Sequence, residues 1–417
     1  MSETGTYVVH ATKMVYGGDV MGRLPDKRAV FVPFLFPGEE AAVSLVESKR
    51  GFARAELLEV LKPAPNRISP LCAHFGTCGG CHYQHIPYDD QLELKRQILA
   101  EQIERIGGLI DPPVKAIIPS SQQYLYRNHV QFHLTQNGEI GYRRPRSNEV
   151  LAIHECHLPE AHLNAVWPLL DFESIPAVER VGLRSGSGED IQLTIESADL
   201  AAPEMRIEEL PISVVHLSPG GELVLAGSQE IWIDILERPL RVSAGAFFQV
   251  NTKMAESLVK HILNTLPDFT ELDNSSTILD LYCGVGLFSA FLAPLVGRVV
   301  GVESSPSAAD DFVINLDEFE AVDLYQAKVE QVLPQLELEP DIILVDPPRN
   351  GVSPKAMDGL IELKAPILVY ISCDPATLSR DAKRLTNGGY QLRQITPFDM
   401  FPQTYHIESV SFWSITR

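Results

Sequence analysis

The chain has 417 residues, of which 45% are hydrophobic and 21% charged, enough for two or three domains with hydrophobic cores. It has neither the roughly 18 unbroken apolar residues of a membrane span nor a signal peptide at its start. We therefore expect a cytoplasmic protein that does not contact membranes. The net charge of -21 would argue against a nucleic-acid partner. However, residues 151–345 hold 9 basic and 32 acidic side chains, and they account for the whole excess of negative charge. Charge alone thus neither supports nor excludes RNA.

Residues 1–62 alternate apolar and polar side chains in short runs that glycine or proline separates. This pattern predicts a small, all-β barrel. The sequence Pro63-Ala-Pro-Asn closes this first unit as a linker.

A group of cysteines follows the linker. Cys72, Cys78 and Cys81 offer three thiolates in one loop, with two glycines in its turn, and Cys156 is able to return as a fourth. In a reducing compartment such a group indicates metal binding rather than disulfides. Four thiolates fit a [4Fe–4S] cluster or structural zinc. The spacing does not decide between them, and nearby histidines keep zinc open: His74, His82, His154 and His157.

The segment after the cysteines predicts an amphipathic helix over about 89–106, able to pack on the C-terminal domain, and then a strand-rich stretch. We assign 63–245 to an α+β central domain. Its strand-like runs are 130–134, 191–195, 214–217 and 230–235.

From about residue 246 to 417 strands and helices alternate, which predicts a doubly wound parallel sheet that binds ligands at the carboxyl ends of its strands. The predicted strands are 277–282, 298–303, 341–345 and 366–372. The predicted helices are 287–295, 306–319 and 375–385.

The first of these strands ends in a glycine loop, Asp280-Leu-Tyr282-Cys-Gly-Val-Gly286, and Glu303 ends the next strand. Glycines let the backbone approach a ligand, and an acid at that position is suited to hold a ribose diol. No Gly-Lys-Ser/Thr follows, and Tyr282 stands where a dinucleotide loop has its first glycine. S-adenosylmethionine, which has no phosphates, tolerates this loop. Cys283 is interpreted as a packing residue.

Two further strand ends carry reactive groups. Asp346-Pro-Pro-Arg349 follows one strand, and the arginine, in place of a base-stacking aromatic, argues against an exocyclic amine as methyl acceptor. Cys373 follows the next strand at the start of a helix, where the dipole favours the thiolate. A lone cysteine usually only packs in a core, but this one lies in the predicted crevice. A thiolate there can add to C6 of uracil and activate C5 for methylation, and Glu408 is the candidate base that removes H5.

Together these motifs resemble the uracil-C5 RNA methyltransferases, the group with a TRAM domain and a [4Fe–4S] cluster that includes an enzyme of 23S ribosomal RNA. The resemblance implies a class I S-adenosylmethionine methyltransferase (a Rossmann-like, doubly wound α/β sheet) preceded by a TRAM/OB-like barrel at 1–62 and the central domain. It assigns Cys72, Cys78, Cys81 and Cys156 as cluster ligands, which favours iron–sulfur over zinc.

In the C-terminal half the resemblance assigns roles to individual residues. Cys373 corresponds to the nucleophile and Glu408 to the base. The resemblance also implies cofactor contacts for Gln249, Tyr282, Glu303 and Asp346, and RNA contacts for Phe247, Arg127 and Arg143. Leu287 departs from the family, since relatives often have a polar residue after the glycine loop.

We expect a monomer that acts on RNA, with ribosomal RNA preferred over tRNA. Two other interpretations stay open at this point. One is an RNA-binding iron–sulfur protein without turnover, and the other a flavin- or NAD-linked oxidoreductase, which the missing pyrophosphate loop disfavours.

Overall fold

The fold is that of a computed structural model, and it describes residues 5–172, 177–204 and 211–415. Within these ranges no helix is long and apolar enough to cross a membrane. Three sheets and one β-hairpin follow one another along the chain.

The N-terminal sheet has six strands in the spatial order β1-β5-β6-β4-β3-β2. Side chains alternate between its core and solvent, as on β4, because successive residues of a strand point to opposite faces. The result is the small all-β unit that the short runs predict. Its strands are β1 (Thr6–His10), β2 (Lys13–Met14), β3 (Asp19–Arg23), β4 (Ala29–Pro33), β5 (Glu40–Ser48) and β6 (Phe52–Lys62).

A helix, α1 (Tyr88–Arg105), connects the N-terminal sheet to the C-terminal one. Ile98 lies in the core of the N-terminal sheet, whereas Leu99 and Ile103 lie in a core of the C-terminal sheet. Lys95, on the same helix, forms a fully buried ion pair with Asp399, with 2.5 Å between Nζ and Oδ1. The helix therefore fixes how these two units are arranged.

The middle sheet has seven strands in the order β13-β12-β11-β10-β7-β8-β9, with a short helix, α2 (Ala161–Val166), on it. More strands occur here than the sequence runs predict, among them β8, β9 and β10. The strands are β7 (His129–Leu134), β8 (Ile140–Arg143), β9 (Val150–Ala152), β10 (Val178–Ser185), β11 (Ile191–Ser197), β12 (Ile212–Ser218) and β13 (Gly221–Ala226).

The hairpin of β14 (Glu230–Ile235) and β15 (Arg238–Ser243) lies N-terminal to the boundary that we expected at residue 246. Its inward side chains nevertheless pack in the core of the C-terminal sheet, together with Leu258 of α3 (Thr252–Thr265). The hairpin thus belongs by packing to the C-terminal unit.

The C-terminal sheet has the order β18-β17-β16-β19-β20-β22-β21, in which the first five strands are parallel and β22 is antiparallel to both of its neighbours. Its two faces are buried in separate cores, with Ile278 in one and Leu279 in the other. The strands are β16 (Thr277–Leu281), β17 (Arg298–Glu303), β18 (Val322–Gln326), β19 (Ile342–Val345), β20 (Ile367–Ser372), β21 (Tyr390–Phe398) and β22 (Glu408–Ile415).

The helices of this unit are shorter than predicted where proline or a polar contact intervenes. The helix predicted over 287–295 is α4 (Ser289–Leu292), followed by a 3-10 turn that contains Pro294. The helix predicted over 306–319 ends at Asn315, whose side chain donates to the main-chain oxygens of Arg241 and Val285. The remaining helices are α5 (Pro306–Asn315), α6 (Val329–Val332), α7 (Pro354–Glu362) and α8 (Pro375–Asn387).

Candidate active site

The carboxyl ends of β16, β17, β19 and β20 open on one cavity of ≈ 1820 Å³, which we call the crevice. Parallel strands bring their carboxyl ends to the same edge of a sheet, so the motifs predicted at four strand ends meet here. The residues that line the crevice include Phe247, Gln249, Tyr282, Glu303, Asp346, Cys373 and Glu408.

The glycine loop has the backbone that its sequence indicates. Gly286 has φ 89°, and a Cβ there would lie 2.5 Å from Leu316, so only glycine fits. Tyr282 also has a positive φ, 62°, which is uncommon for a bulky residue and is held by a hydrogen bond from its N–H to the oxygen of Val302 at 2.9 Å. Such strain concentrates at ligand sites.

Glu303 closes this loop at the end of β17. One carboxylate oxygen accepts from the N–H of Gly284 at 3.0 Å, and the other accepts from the N–H groups of Ser304 and Ser305, both at 2.6 Å. These contacts fix the carboxylate at the crevice and leave lone pairs for a further donor, such as a ribose hydroxyl.

Asp280, below the loop, is a buried carboxyl to which we assigned no role from the sequence. Ser289 donates to one of its oxygens at 2.6 Å, and the other has no partner within the described residues. Burial raises its pKa to about 7, with smaller contributions from Asp346 and Glu303. Its place at the head of the loop motif was the signal that could have singled it out.

Cys373 and Glu408 lie at the same end of two neighbouring antiparallel strands. Ser372, the last residue of β20, pairs with Ser409 of β22, so Cys373 follows one member of this pair and Glu408 precedes the other. Both residues line the crevice, and the carboxyl of Glu408 is close enough to raise the pKa of the Cys373 thiol. The two candidate reactive groups, 35 positions apart in the sequence, are thus neighbours in the crevice.

The electrostatics around Cys373 oppose the expectation from its position at a helix start. Burial raises the pKa of its thiol to about 12, and the carboxyls of Glu408 and Asp346 add to that rise, while Arg349 acts in the other direction. Burial and these carboxyls therefore act against the stabilisation of the thiolate that we expect from the helix dipole.

The two carboxyls also act on each other. Burial raises the pKa of Asp346 to about 7, and burial with the charge of Asp346 raises that of Glu408 well above its ordinary value. Arg349 lowers the pKa of Glu408. Like charges this close favour holding one proton between them, so the pair titrates as a unit.

The segment that carries Phe247 and Gln249 is anchored by the middle sheet. Arg184, only 4% exposed, donates to the main-chain oxygens of Ser243 at 2.9 Å and Ala246 at 2.7 Å. Asn128 donates to the oxygen of Gln249 at 3.0 Å. Phe247 is 71% exposed and lines the crevice, so its ring is accessible to a ligand there.

The two arginines expected to touch RNA also lie along the crevice. Arg127 sits over the rings of Tyr126 and Phe401, at 5.8 and 5.9 Å from their centroids. Arg143 is exposed at the end of β8, and its main-chain oxygen accepts from the N–H of Gly79 in the cysteine loop at 3.0 Å. The crevice continues from these side chains to the N-terminal sheet.

A separate cavity of ≈ 60 Å³, the cysteine pocket, is lined by all four cysteines of the predicted cluster. Cys72, Cys78, Cys81 and Cys156 are free thiols whose pKa values burial raises. Within the part of the chain that the structure describes, no three cysteine sulfurs lie within 4.8 Å of one another, whereas ligand atoms of Cys72, Glu155 and His157 do.

The fold and the crevice place this chain among the class I S-adenosylmethionine methyltransferases. A solved structure of similar fold is the tRNA (uracil-54, C5)-methyltransferase of Pyrococcus abyssi in complex with S-adenosyl-L-homocysteine, at a TM-score of 0.72 and 25% identity. The match covers 97% of this chain and 100% of that one.

Family models and relatives narrow this class further. The model for tRNA (uracil-5-)-methyltransferase matches residues 200–415, and the model for the TRAM domain matches residues 9–58. An RNA methyltransferase of Aquifex aeolicus is 33% identical over 97% of each chain, and one of Streptomyces coelicolor is 34% identical over 97% of this chain and 92% of its own.

The chain belongs to the tRNA (uracil-5-)-methyltransferase family of RNA methyltransferases. The predictions of an S-adenosylmethionine-dependent enzyme of RNA uracil C5, and of a TRAM domain at the N-terminus, are confirmed by these matches. An RNA substrate is confirmed with them. An oxidoreductase is excluded by the same membership.

Proposed function

We propose that the chain methylates C5 of a specific uridine in RNA, with Cys373 as nucleophile and Glu408 as base, and that its target lies in 23S ribosomal RNA. The observation that carries the mechanism is that Cys373 and Glu408 lie at the same end of β20 and β22 and line one cavity with the glycine loop. A nucleophile and a base on either side of one small ring are what activation of C5 requires.

The steps balance with these two residues. The Cys373 thiolate adds to C6 of uracil, and the electron pair of the 5,6 double bond moves to the enolate. C5 then takes the methyl group as its bond to the donor sulfur breaks, which leaves S-adenosylhomocysteine. Glu408 removes the proton from C5, the C6–S bond breaks, and the thiolate leaves.

The raised pKa of Cys373 has a role in this scheme. A raised pKa keeps most of the thiol protonated at neutral pH, so the reaction needs a further group that favours the thiolate. The methyl donor carries a positive sulfonium, and that charge, bound in the crevice that Asp346 and Glu408 line, would offset the carboxyls that disfavour the thiolate. Binding of the donor would thus favour the reactive form of Cys373.

The residues at the glycine loop fit the donor. Glu303 retains lone pairs for the ribose hydroxyls, Tyr282 flanks the loop, and Asp346 and Gln249 line the same cavity. The Cβ that Gly286 lacks would clash with Leu316, so this glycine lets the loop pack closely on the protein core beneath it. Leu287 offers no hydrogen bond at the position where relatives often have a polar side chain.

The cysteine pocket brings together four cysteine thiols, the donor set of a [4Fe–4S] cluster, and Gly80 donates to the sulfur of Cys78 at 3.4 Å. Zinc is the second candidate, since ligand atoms of Cys72, Glu155 and His157 lie within 4.8 Å of one another. A cluster held by Cys72, Cys78, Cys81 and Cys156 would crosslink the loop to the middle sheet.

RNA is proposed to lie along the crevice with its target base beside Phe247. An exposed ring of this kind stacks on a base, and Arg127 and Arg143 are suited to contact phosphates. Since the crevice also borders the N-terminal sheet, the TRAM domain would bind the flanking strand.

The target is the finer part of the proposal. We favour 23S ribosomal RNA because the motifs resemble the cluster-bearing, TRAM-containing group that includes an enzyme of 23S ribosomal RNA. A transfer RNA is the second candidate, since the solved relative that matches over its full length is a tRNA enzyme.

Two measurements test the proposal. Mapping of 5-methyluridine in RNA from a strain lacking the gene should show one lost position in 23S RNA, and a loss confined to tRNA would move the target there. Wild-type protein mixed with 5-fluorouridine RNA and S-adenosylmethionine should form an adduct at Cys373, identified by mass spectrometry of the peptide. An adduct at another residue, or none, would overturn the mechanism.

A further inference from the structure

The turn between β2 and β3 (Val15–Gly18) reaches from the N-terminal sheet into the neighbourhood of the nucleophile. The hydroxyl of Tyr16 donates a hydrogen bond to Oδ2 of Asp374 at 2.9 Å, across 358 positions of sequence. Asp374 is the residue that follows Cys373. The N-terminal sheet therefore contacts the catalytic segment directly, through one side chain.

The turn is packed firmly in this place. The ring of Tyr16 lies edge-on to Tyr405 at 5.8 Å, and Tyr405 packs on His82, which follows the cysteine loop, at 4.6 Å. Gly18 has φ 86°, and a Cβ there would meet Tyr405 at 3.2 Å and His82 at 3.3 Å. Only a glycine lets the turn come this close.

Asp374 itself holds the start of α8. Its Oδ1 accepts from the N–H groups of Ala376 and Thr377, both at 2.9 Å, which is the hydrogen bonding of a helix N-cap. Tyr16 occupies the other oxygen. Both oxygens of the carboxylate are thus engaged, and the side chain is fixed between the helix and the turn.

We propose that Tyr16 is a positioning residue for the nucleophile: its hydroxyl holds Asp374, and through it the first turn of α8, so that Cys373 keeps its geometry and its reactivity. This inference rests on the proposed role of Cys373 as nucleophile. It makes the TRAM domain a contributor to the crevice in addition to its binding of RNA.

The hydrogen bond between Tyr16 and Asp374 should affect the pKa of the Cys373 thiol, because Asp374 is charged. The groups that face Cys373 are Glu408 from β22, Asp346 and Arg349 from the segment after β19, Asp374 from α8, and Tyr16. Asp374 is one of the carboxyls that raise the pKa of the thiol. A hydrogen bond from Tyr16 spreads that negative charge, so its loss raises the pKa further and lowers the thiolate fraction at neutral pH.

The first test is the alkylation of Cys373 by iodoacetamide in the full-length protein, followed by mass spectrometry of its peptide across pH. Tyr16→Phe should react about tenfold more slowly at neutral pH, the effect of losing one hydrogen bond to a charged group. Both rates should rise with pH, and their ratio should stay constant as long as both thiols are mainly protonated. Tyr7→Phe, on β1 of the same sheet and packed on the same core, is the matched control and should react as wild type does.

A second variant should change the alkylation rate of Cys373 in the opposite direction. Asp374→Asn keeps an oxygen that caps α8, and its NH2 group donates to the hydroxyl of Tyr16, but the substitution removes the charge that disfavours the thiolate. It should be alkylated faster than wild type at neutral pH. Unchanged or slower alkylation of this variant, or a Tyr16→Phe profile identical to wild type, would refute the proposal.

A third readout separates positioning from RNA binding. With saturating 5-fluorouridine RNA, Tyr16→Phe should form its adduct more slowly than wild type while its Kd for RNA and for S-adenosylhomocysteine is unchanged. A weaker Kd with an unchanged rate at saturation would make Tyr16 an RNA contact instead. If wild type forms no adduct, the proposed function fails, yet the alkylation comparison still decides the role of Tyr16.

Discussion

Two cysteine sites in one chain show how neighbours decide what a thiol does. In both the crevice and the cysteine pocket, burial raises the thiol pKa. Around Cys373 carboxyls add to that rise, and Arg349 is the group that opposes it. At Cys81 the opposing contributions come from Gln84 and Arg127, and the other groups that raise its pKa are cysteines. The first environment suits a thiol that is activated on demand, and the second suits thiols that a metal deprotonates.

The largest effect is expected from removing the nucleophile. Cys373→Ala should lower methylation on the order of 10⁴-fold or more, as for other enzymes that lose a nucleophile. It should still bind S-adenosylhomocysteine and RNA, because the glycine loop and Phe247 are unchanged. Tritium transfer from labelled donor to RNA is the measurement. Cys283→Ala is the control, since Cys283 is buried in the same part of the molecule and only packs.

Removing the base should affect a later step. Glu408→Gln should slow turnover by about 10²- to 10⁴-fold, the range for a general base. Because addition and methyl transfer precede proton removal, the variant should accumulate the covalent enzyme–RNA intermediate with ordinary uridine, visible on denaturing gels. Fast turnover without this intermediate would assign the base to another group, with Asp346 the first alternative.

The residues at the strand ends of the crevice could be predicted from the sequence. The contacts between distant segments could not, because they depend on how the strands are arranged in the sheet. The glycine loop, Glu303 and Cys373 stand at ends of strands that their own apolar runs reveal, so local pattern is sufficient. The contact of Cys373 with Glu408 depends on β22 inserting antiparallel between β20 and β21, a choice of sheet order that no local pattern carries. Tyr16 and Asp374 are even further apart in the sequence, and the periodicity of strands or helices does not predict their contact.

A substitution in the cysteine pocket tests the proposed cluster without changing a residue of the crevice. Cys81→Ser should abolish the broad absorbance near 400 nm (roughly where iron–sulfur proteins absorb) and most of the bound iron. It should also slow methylation about tenfold, because His82 and Tyr83, next to Cys81, donate two backbone hydrogen bonds to Gln403 in the loop before Glu408. Stoichiometric zinc in wild type, measured by elemental analysis, would reject the cluster, and Cys283→Ser serves as control.

The smallest expected effect tests whether the donor activates the thiol. Without RNA, alkylation of Cys373 should be faster with S-adenosylmethionine bound than with S-adenosylhomocysteine, which differs by one methyl group and one positive charge. A unit charge about 8 Å away at an effective dielectric constant of about 40 contributes about 1 kcal/mol, or roughly fivefold in rate. The sign follows from the raised pKa of Cys373, since at neutral pH any added positive charge increases the thiolate fraction. The cysteines of the pocket lie outside the crevice and should show no difference between the two ligands. Equal rates at Cys373 would mean that Arg349 alone balances the carboxyls when the donor binds.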